Sequence, residues 1–334
     1  MRSRGVTFVP LEVTTDDASL IDGVYDYAVT DRYIYVLPVK EPRIVLFDRQ
    51  GRFIRTLVKE GQGPGEFRGI LPCIQVDERN DRLFLFSNNR VWEYTLEGEF
   101  IGQSTHEYSV IYMRHIGKDR FAAISFPFQP FNGGGFGLGL FSRKGDTIAI
   151  KNDFYSFLLP HEKSGFTTSI APAYSDAQNS VLFKTGSNDT VFCISADRIS
   201  AACVLDLKNS DAEVIRSLDV TDMSNLRIEK KDPKDIFVQD MIEFPGHYYF
   251  RLLYNQGYYI ASVDKKTGKT LVEKCVMPGS IYELADANLQ HGMQGTRSYR
   301  NFPVWGRVIK DELVQVVTPY ELNLYKSLRS ITIP

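Results

Sequence analysis

The sequence predicts an all-β protein, a six-bladed β-propeller with four antiparallel strands per blade. Three observations predict it: a hairpin that recurs at a fixed interval, a second strand pair ahead of each copy, and a scarcity of helix signals. The segments IVLFDRQGRFI (44–54), VWEYTLEGEFI (91–101) and LGLFSRKGDTI (138–148) line up. Their aromatic anchors Phe47, Tyr94 and Phe141 stand 47 residues apart each time, and Gly51, Gly98 and Gly145 keep the same register. Each copy has apolar residues on both sides of a short polar turn, whose glycine suits a backbone with φ > 0.

Ahead of each hairpin lies a second strand, turn, strand pattern: YDYAVTDRYIYVLP (25–38), IQVDERNDRLFLFS (74–87) and IYMRHIGKDRFAAIS (111–125). Four strands at a period of 40 to 50 residues is the arrangement of a propeller blade. The later copies blur. VFCISADRISAACVLDL (191–207) repeats the outer hairpin without its glycine, and YYIASVDKKTGKTLVEK (258–274) repeats it with one extra residue before Gly268. A sixth unit is expected from NFPVWGRVIKDELVQVVTP (301–319), whose strands need a partner from elsewhere. The N-terminal strand VTFVPLEV (6–13) is expected to supply it, closing the ring so that no sheet edge is left open. Helix signals are confined to SDAEVIRSLD (210–219) and SIYELADANL (280–289), both in long connections. Residues 1–334 are therefore read as one propeller domain.

A hydrophobic share of 43% supplies a sizeable core, and a net charge of −2 without a Lys/Arg block beyond KK gives no footprint for nucleic acid. No run of 18 apolar residues is present, and the opening MRSRGVTFVPLEV lacks the apolar stretch of a secretory signal. Cys73, Cys193, Cys203 and Cys275 form no C-x-x-C pair, which argues against zinc. Cys193 and Cys203 flank a turn and could face each other across a hairpin; free buried thiols are the alternative.

The stretch from FVPLEV to EGQGPGEF resembles the six-bladed propeller proteins of the Bacteroides group, many of them lipoproteins and distantly NHL-repeat-like. The resemblance rests on VPLEV (9–13), FDRQGRF (47–53) and GQGPGEF (61–67), and further on SNDTVFCISAD (187–197) and WGRVIKDELVQVVTPYEL (305–322). It implies an extracytoplasmic protein, periplasmic or on the outer membrane, that meets a membrane only through a lipid anchor whose leader is absent from this sequence. It implies no catalytic residues.

Glycine spacing in EGQGPGEF (60–67) invites a phosphate-cradle reading. A cradle needs the glycines between a strand and a helix N-terminus, and a P-loop needs Gly-Lys-Ser/Thr as well. Here Pro64 removes a donor and FRGILPCIQV continues as loop and strand, so the stretch reads as a turn between blades one and two, with Glu66 either solvated or a rim contact. Five histidines (His106, His115, His161, His247, His291) show no metal-ligand spacing, and no G-x-S-x-G elbow is present. No metal and no cofactor are expected.

Two irregular segments carry the ligand-binding candidates. FPFQPFNGGGFG (126–137) holds more aromatics than a hairpin turn needs, and Phe128 and Phe131 could stack on a sugar or peptide. HGMQGTRSYRNFPVW (291–305) sets Arg297, Tyr299, Arg300 and Trp305 close together, a composition suited to an anionic or sugar ligand. Both also have plain structural readings, as a packed cover over a blade edge and as guanidinium groups resting on exposed rings. Two functions follow: a non-catalytic binding or scaffold propeller recognising a glycan, peptide or partner protein, or a propeller hydrolase or lyase acting on a saccharide or small ester. Convergent carboxylates, histidines or a metal would mark the enzyme; a shallow aromatic surface would mark the binder.

Overall fold

The computed structural model describes residues 9–15, 18–68, 73–87, 89–107, 110, 112–124, 137–151, 173–177, 179–184, 189–207, 236–255, 257–274, 307–309 and 312–314. Five four-stranded sheets follow one another along the chain, each strand pairing with the next in sequence. Blade one comprises β1 (Val24–Val29), β2 (Tyr33–Pro38), β3 (Arg43–Asp48) and β4 (Phe53–Lys59). Blade two comprises β5 (Cys73–Asp77), β6 (Arg82–Ser87), β7 (Arg90–Tyr94) and β8 (Phe100–Thr105). Blade three runs through β9 (Tyr112–His115), β10 (Arg120–Ile124), β11 (Leu138–Ser142) and β12 (Thr147–Lys151). Blade four holds β13 (Ala173–Ala177), β14 (Ser180–Lys184), β15 (Thr190–Ser195) and β16 (Ile199–Val204), and blade five β17 (Phe237–Glu243), β18 (His247–Tyr254), β19 (Gly257–Asp264) and β20 (Thr270–Lys274). This is an all-β propeller fold of four-stranded antiparallel blades.

Burial explains why the middle strands are continuous apolar runs while the outer strands alternate. Second and third strands such as YIYVLP and RIVLFD are covered on both faces, as strands between stacked sheets must be. Fourth strands such as FIGQST and TLVEK are largely exposed.

By contact density the chain divides into two compact units, Met1–Leu85 with Glu93–Gly102 and Phe302–Pro334, and Phe86–Trp92 with Gln103–Asn301. In unit one β1 lies beside β5, and Asp26 ties them: its carboxylate accepts from the N–H of Ile74 at 2.8 Å and of Tyr27 at 3.0 Å. In unit two one apolar seam joins Ile124, Leu138 and Leu140 of blade three to Val181, Phe183 and Ile194 of blade four. A second joins Leu182 and Val191 to Met241, Phe250 and Leu252 of blade five.

The expected six blades are corrected to five. The segment expected to form the sixth shows only a two-stranded sheet among its described residues, β21 (Arg307–Ile309) and β22 (Glu312–Val314). Nor do the described residues of the N-terminal segment form a strand in a last blade. Residues 9–13 lie against the β3–β4 turn of blade one, where the N–H of Glu12 donates to Gly51 O at 2.8 Å and the N–H of Phe53 to Glu12 Oε2 at 2.8 Å. Leu11 joins the cluster of Val36, Val45 and Phe47. A chain already engaged by the first blade's turn has a reason to be there: the same turns of blades two and three press on the chain preceding them. A Cβ on Gly51 would stand 2.0 Å from Pro10 O, on Gly98 3.0 Å from Leu57 O, and on Gly145 2.7 Å from Thr105 O.

The cysteine pair is also settled. Cys193 and Cys203 are both free. A bulge between Val191 and Phe192 sets Cys203 opposite Val191 and Cys193 opposite Ser200, so the two thiols do not share a rung. Burial pushes both thiols above their ordinary values. The helices expected at 210–219 and 280–289 lie outside the described residues.

Candidate functional site

The two ends of each blade differ. First-to-second and third-to-fourth connections are tight turns, the longest being 95–99 and 265–269. They close sharply because αL-competent residues sit in them, Asp81, Lys118 and Asp119 as well as the turn glycines. In a four-stranded antiparallel meander the remaining connections leave from the opposite end of the sheet. The long segments 60–72, 125–137, 152–172, 205–236 and 275–306 all leave from there.

The first of them contains EGQGPGEF, which the structure confirms as a turn between blades one and two. The turn is closed by its own side chains. Glu66 folds back so that Oε2 accepts from the N–H of Gly63 at 2.7 Å, while Arg68 donates to Gly61 O and Gln62 O. Phe67, fully buried, bridges back to Glu60. The carboxylate is partly exposed and caps its own turn.

The second strands also carry buried charges that the repeat does not call for. The fifth residue of the second strand is Leu37, Phe86 and Ile124 in blades one to three, but Lys184 and Arg251 in blades four and five, all of them buried. Lys184 Nζ stands 3.9 Å from Asp189 Oδ1. In the backbone register of the β17–β18 ladder Arg251 is the partner of position 240, one rung after a bulge between Val238 and Asp240. The same rung of blade one pairs Leu37 with Asp26, again just after a bulge. A third buried cation, Arg114 on β9, donates from Nε to the Tyr112 hydroxyl at 2.9 Å with its guanidinium over that ring. Sequence reasoning missed these three; for Lys184 and Arg251 the signal was a break in the fifth-position pattern, visible only once the strands are aligned.

His106 is the other residue whose setting the sequence did not disclose. It opens the β8–β9 connection, 2% exposed, edge-on to the rings of Phe121 and Phe141 at 5.9 and 5.4 Å. Among the described residues neither ring nitrogen has a hydrogen-bond partner, and burial holds the imidazole below its usual titration range. Of the other histidines, His115 packs on the Phe121 ring at 5.4 Å. His247 heads β18 with Nε2 3.7 Å from Asp264 Oδ2, and His161 and His291 lie outside the described residues. Among the described residues no three His, Cys, Asp or Glu side chains converge to hold a metal, and no helix is long and apolar enough to cross a membrane.

The six ligand-binding candidates lie outside the described residues. Their chain positions are nonetheless fixed by the strands around them: Phe128 and Phe131 belong to the β10–β11 connection, and Arg297, Tyr299, Arg300 and Trp305 to the β20–β21 connection. Both connections leave from the long-connection end.

The family described as a domain of unknown function, DUF4934, matches residues 4–328. The chain belongs to it. The DUF4934 chain is similar in fold to a solved structure from Bacteroides fragilis NCTC 9343, described as a "Putative exported protein", with a TM-score of 0.67 and 17% identity. The match covers 96% of this chain and 86% of that one. A protein of unknown function from Bacteroides caccae superposes with a TM-score of 0.42 and 11% identity, covering 76% of this chain and 84% of that one. No curated protein matches the chain.

Proposed function

We propose that this protein is a non-catalytic binding or scaffold propeller that works outside the cytoplasm and recognises a glycan, peptide or partner protein through the long-connection ends of its blades. The observation that carries the proposal is the asymmetry of the connections: every long segment leaves from one end, while the other is closed by tight turns. Binding residues concentrate on long loops held by a rigid scaffold, because loops vary without disturbing the stacked sheets. The proposed contacts are Phe128 and Phe131 in one such segment and Arg297, Tyr299, Arg300 and Trp305 in another, rings for stacking and guanidinium groups for polar or anionic groups. The name of the Bacteroides fragilis structure supports action outside the cytoplasm. Residues 1–334 are proposed to form one propeller domain.

The test is a binding screen of glycans, peptides and metabolites against the full chain, repeated with Phe128→Ala/Phe131→Ala and Arg297→Ala/Arg300→Ala. The expected result is a ligand whose affinity falls at least about tenfold in one of the double variants, the loss of one good contact. Turnover of that ligand, or undiminished binding by both variants, would overturn the proposal.

A further inference from the structure

A neutral imidazole carries one N–H and one lone pair, and burying both without partners costs free energy unless the site gains something from it. His106 is buried in that way. Phe121 of β10 and Phe141 of β11 meet it edge-on, Phe86 of β6 packs on Phe121 at 5.7 Å, and the Gly145 turn presses on the Thr105–His106 backbone. The backbone is pinned by two hydrogen bonds to one residue: His106 N–H donates to Asn89 O at 2.8 Å, and Asn89 Nδ2 donates to His106 O at 3.2 Å. The side chain is therefore a plug between blades two and three, at the exact point where β8 gives way to the β8–β9 connection.

The charged groups on the surrounding elements do not serve the ring. Glu107 follows it in the chain and is exposed. Arg120 heads β10, and on the β11–β12 turn Arg143 lies 3.6 Å from Asp119 while Asp146 accepts from Ser142 Oγ at 2.8 Å. Lys144 shares that turn and is exposed. His115, a second imidazole, sits on the Phe121 ring. None of them hydrogen-bonds to His106, and burial lowers its titration. A proton arriving there would place a charge in an aromatic seat without a counter-ion among the described residues.

We propose that His106 is a pH-operated latch on the seam between blades two and three: neutral, it seals the seam; protonated, it leaves the aromatic seat and releases the head of the β8–β9 connection. The released segment starts at the long-connection end, so acidification loosens that end of the seam while the sheets on either side stay paired. The latch needs no ligand and stands apart from the binding proposal.

Hydrogen exchange of the full chain tests it, corrected for the intrinsic rate, between about pH 7.5 and about pH 5, the interval in which a histidine changes charge. Peptides spanning 103–107 should lose protection by up to about tenfold for each pH unit below about 6.5, the ordinary value of a released imidazole, and His106→Phe, which keeps an aromatic plug without a proton site, should hold its protection throughout. Unchanged protection in the wild type, or equal loss in the variant, overturns the latch. Should His106→Phe not fold, the imidazole resonances of the wild type decide. A ring that titrates below the ordinary value together with shifts in Phe121 and Phe141 supports the latch, and one that titrates at about 6.5 without them removes it.

Discussion

Among the described residues the two units bury charge of opposite sign. Unit one encloses Asp26 and Glu93; unit two encloses Arg114, Lys184 and Arg251. Both acids meet partners within unit one. Asp26 ties one inner strand to the next through backbone N–H groups, and Glu93 meets Arg82 at 2.6 Å across blade two. Two of the cations instead replace apolar residues at a fixed register position. A propeller can thus carry a buried charge either as part of the joint between blades or as a departure from it, and substitution separates the two.

The largest effect is expected where a departure is transplanted. Ile124 stands at the fifth position of β10, fully buried, opposite Tyr112 rather than an acid. Ile124→Lys should cost on the order of 4 kcal/mol, since an unpaired buried ammonium has neither water nor counter-ion. Thermal unfolding would show it. If Ile124→Lys were tolerated, the position itself, and not the surroundings of Lys184, would be what accommodates charge. Asp26→Ala comes next, at about 2 to 3 kcal/mol, because it strands the buried N–H of Ile74 and removes a charge-assisted bond. Denaturant titration of Asp26→Ala beside Asp26→Asn measures it, and the amide should recover part of the loss. Lys184→Met is expected to cost less, about 1 to 2 kcal/mol: the aliphatic stem is kept, and Asp189, which loses a partner at 3.9 Å, is not fully buried. A loss as large as that of Asp26→Ala would make Lys184 a structural joint of the same kind.

These contrasts also mark what the sequence disclosed. The turns at Gly51, Gly98 and Gly145 were legible because each needs a positive φ, which the structure gives as 84°, 89° and 100°, and the need recurs at one interval. Strand pairs were legible for the same reason, as apolar runs between turn residues. The blade count was not, because the N-terminal segment offers the same apolar pattern whether it joins a last blade or lies on the first blade's turn. Bulges were not legible either: the one at Val191 moves Cys203 off the rung of Cys193, and no residue type announces it. His106 looks like any loop histidine in sequence, since what buries it is the stacking of blade three on blade two. Lys184 and Arg251 occupy an intermediate place, ordinary one by one and informative only as breaks in a register.

The smallest predicted effect bears on the tight-turn end, where charge is held without burial. Asp264 closes the β19–β20 turn by accepting from the N–H groups of Lys266 and Thr267 and from Thr267 Oγ1, at 2.7 to 2.9 Å. Those Thr267 bonds hold its carboxyl below the usual carboxylate value. A folded-state value below the unfolded one means the stabilisation is present above the unfolded titration, near pH 4, and is lost as pH falls through the folded value. Asp264→Asn keeps an acceptor but not the charge. Its melting temperature should lie slightly below that of the wild type at about pH 7, and the gap should narrow as pH falls below about 4 and close below the folded value. A gap that persists in acid would mean that the geometry of the oxygen, and not its charge, holds the turn. The tight-turn end would then owe its order to backbone shape alone, as at Gly268, whose φ is +70° and beside which a Cβ would meet nothing within 4 Å.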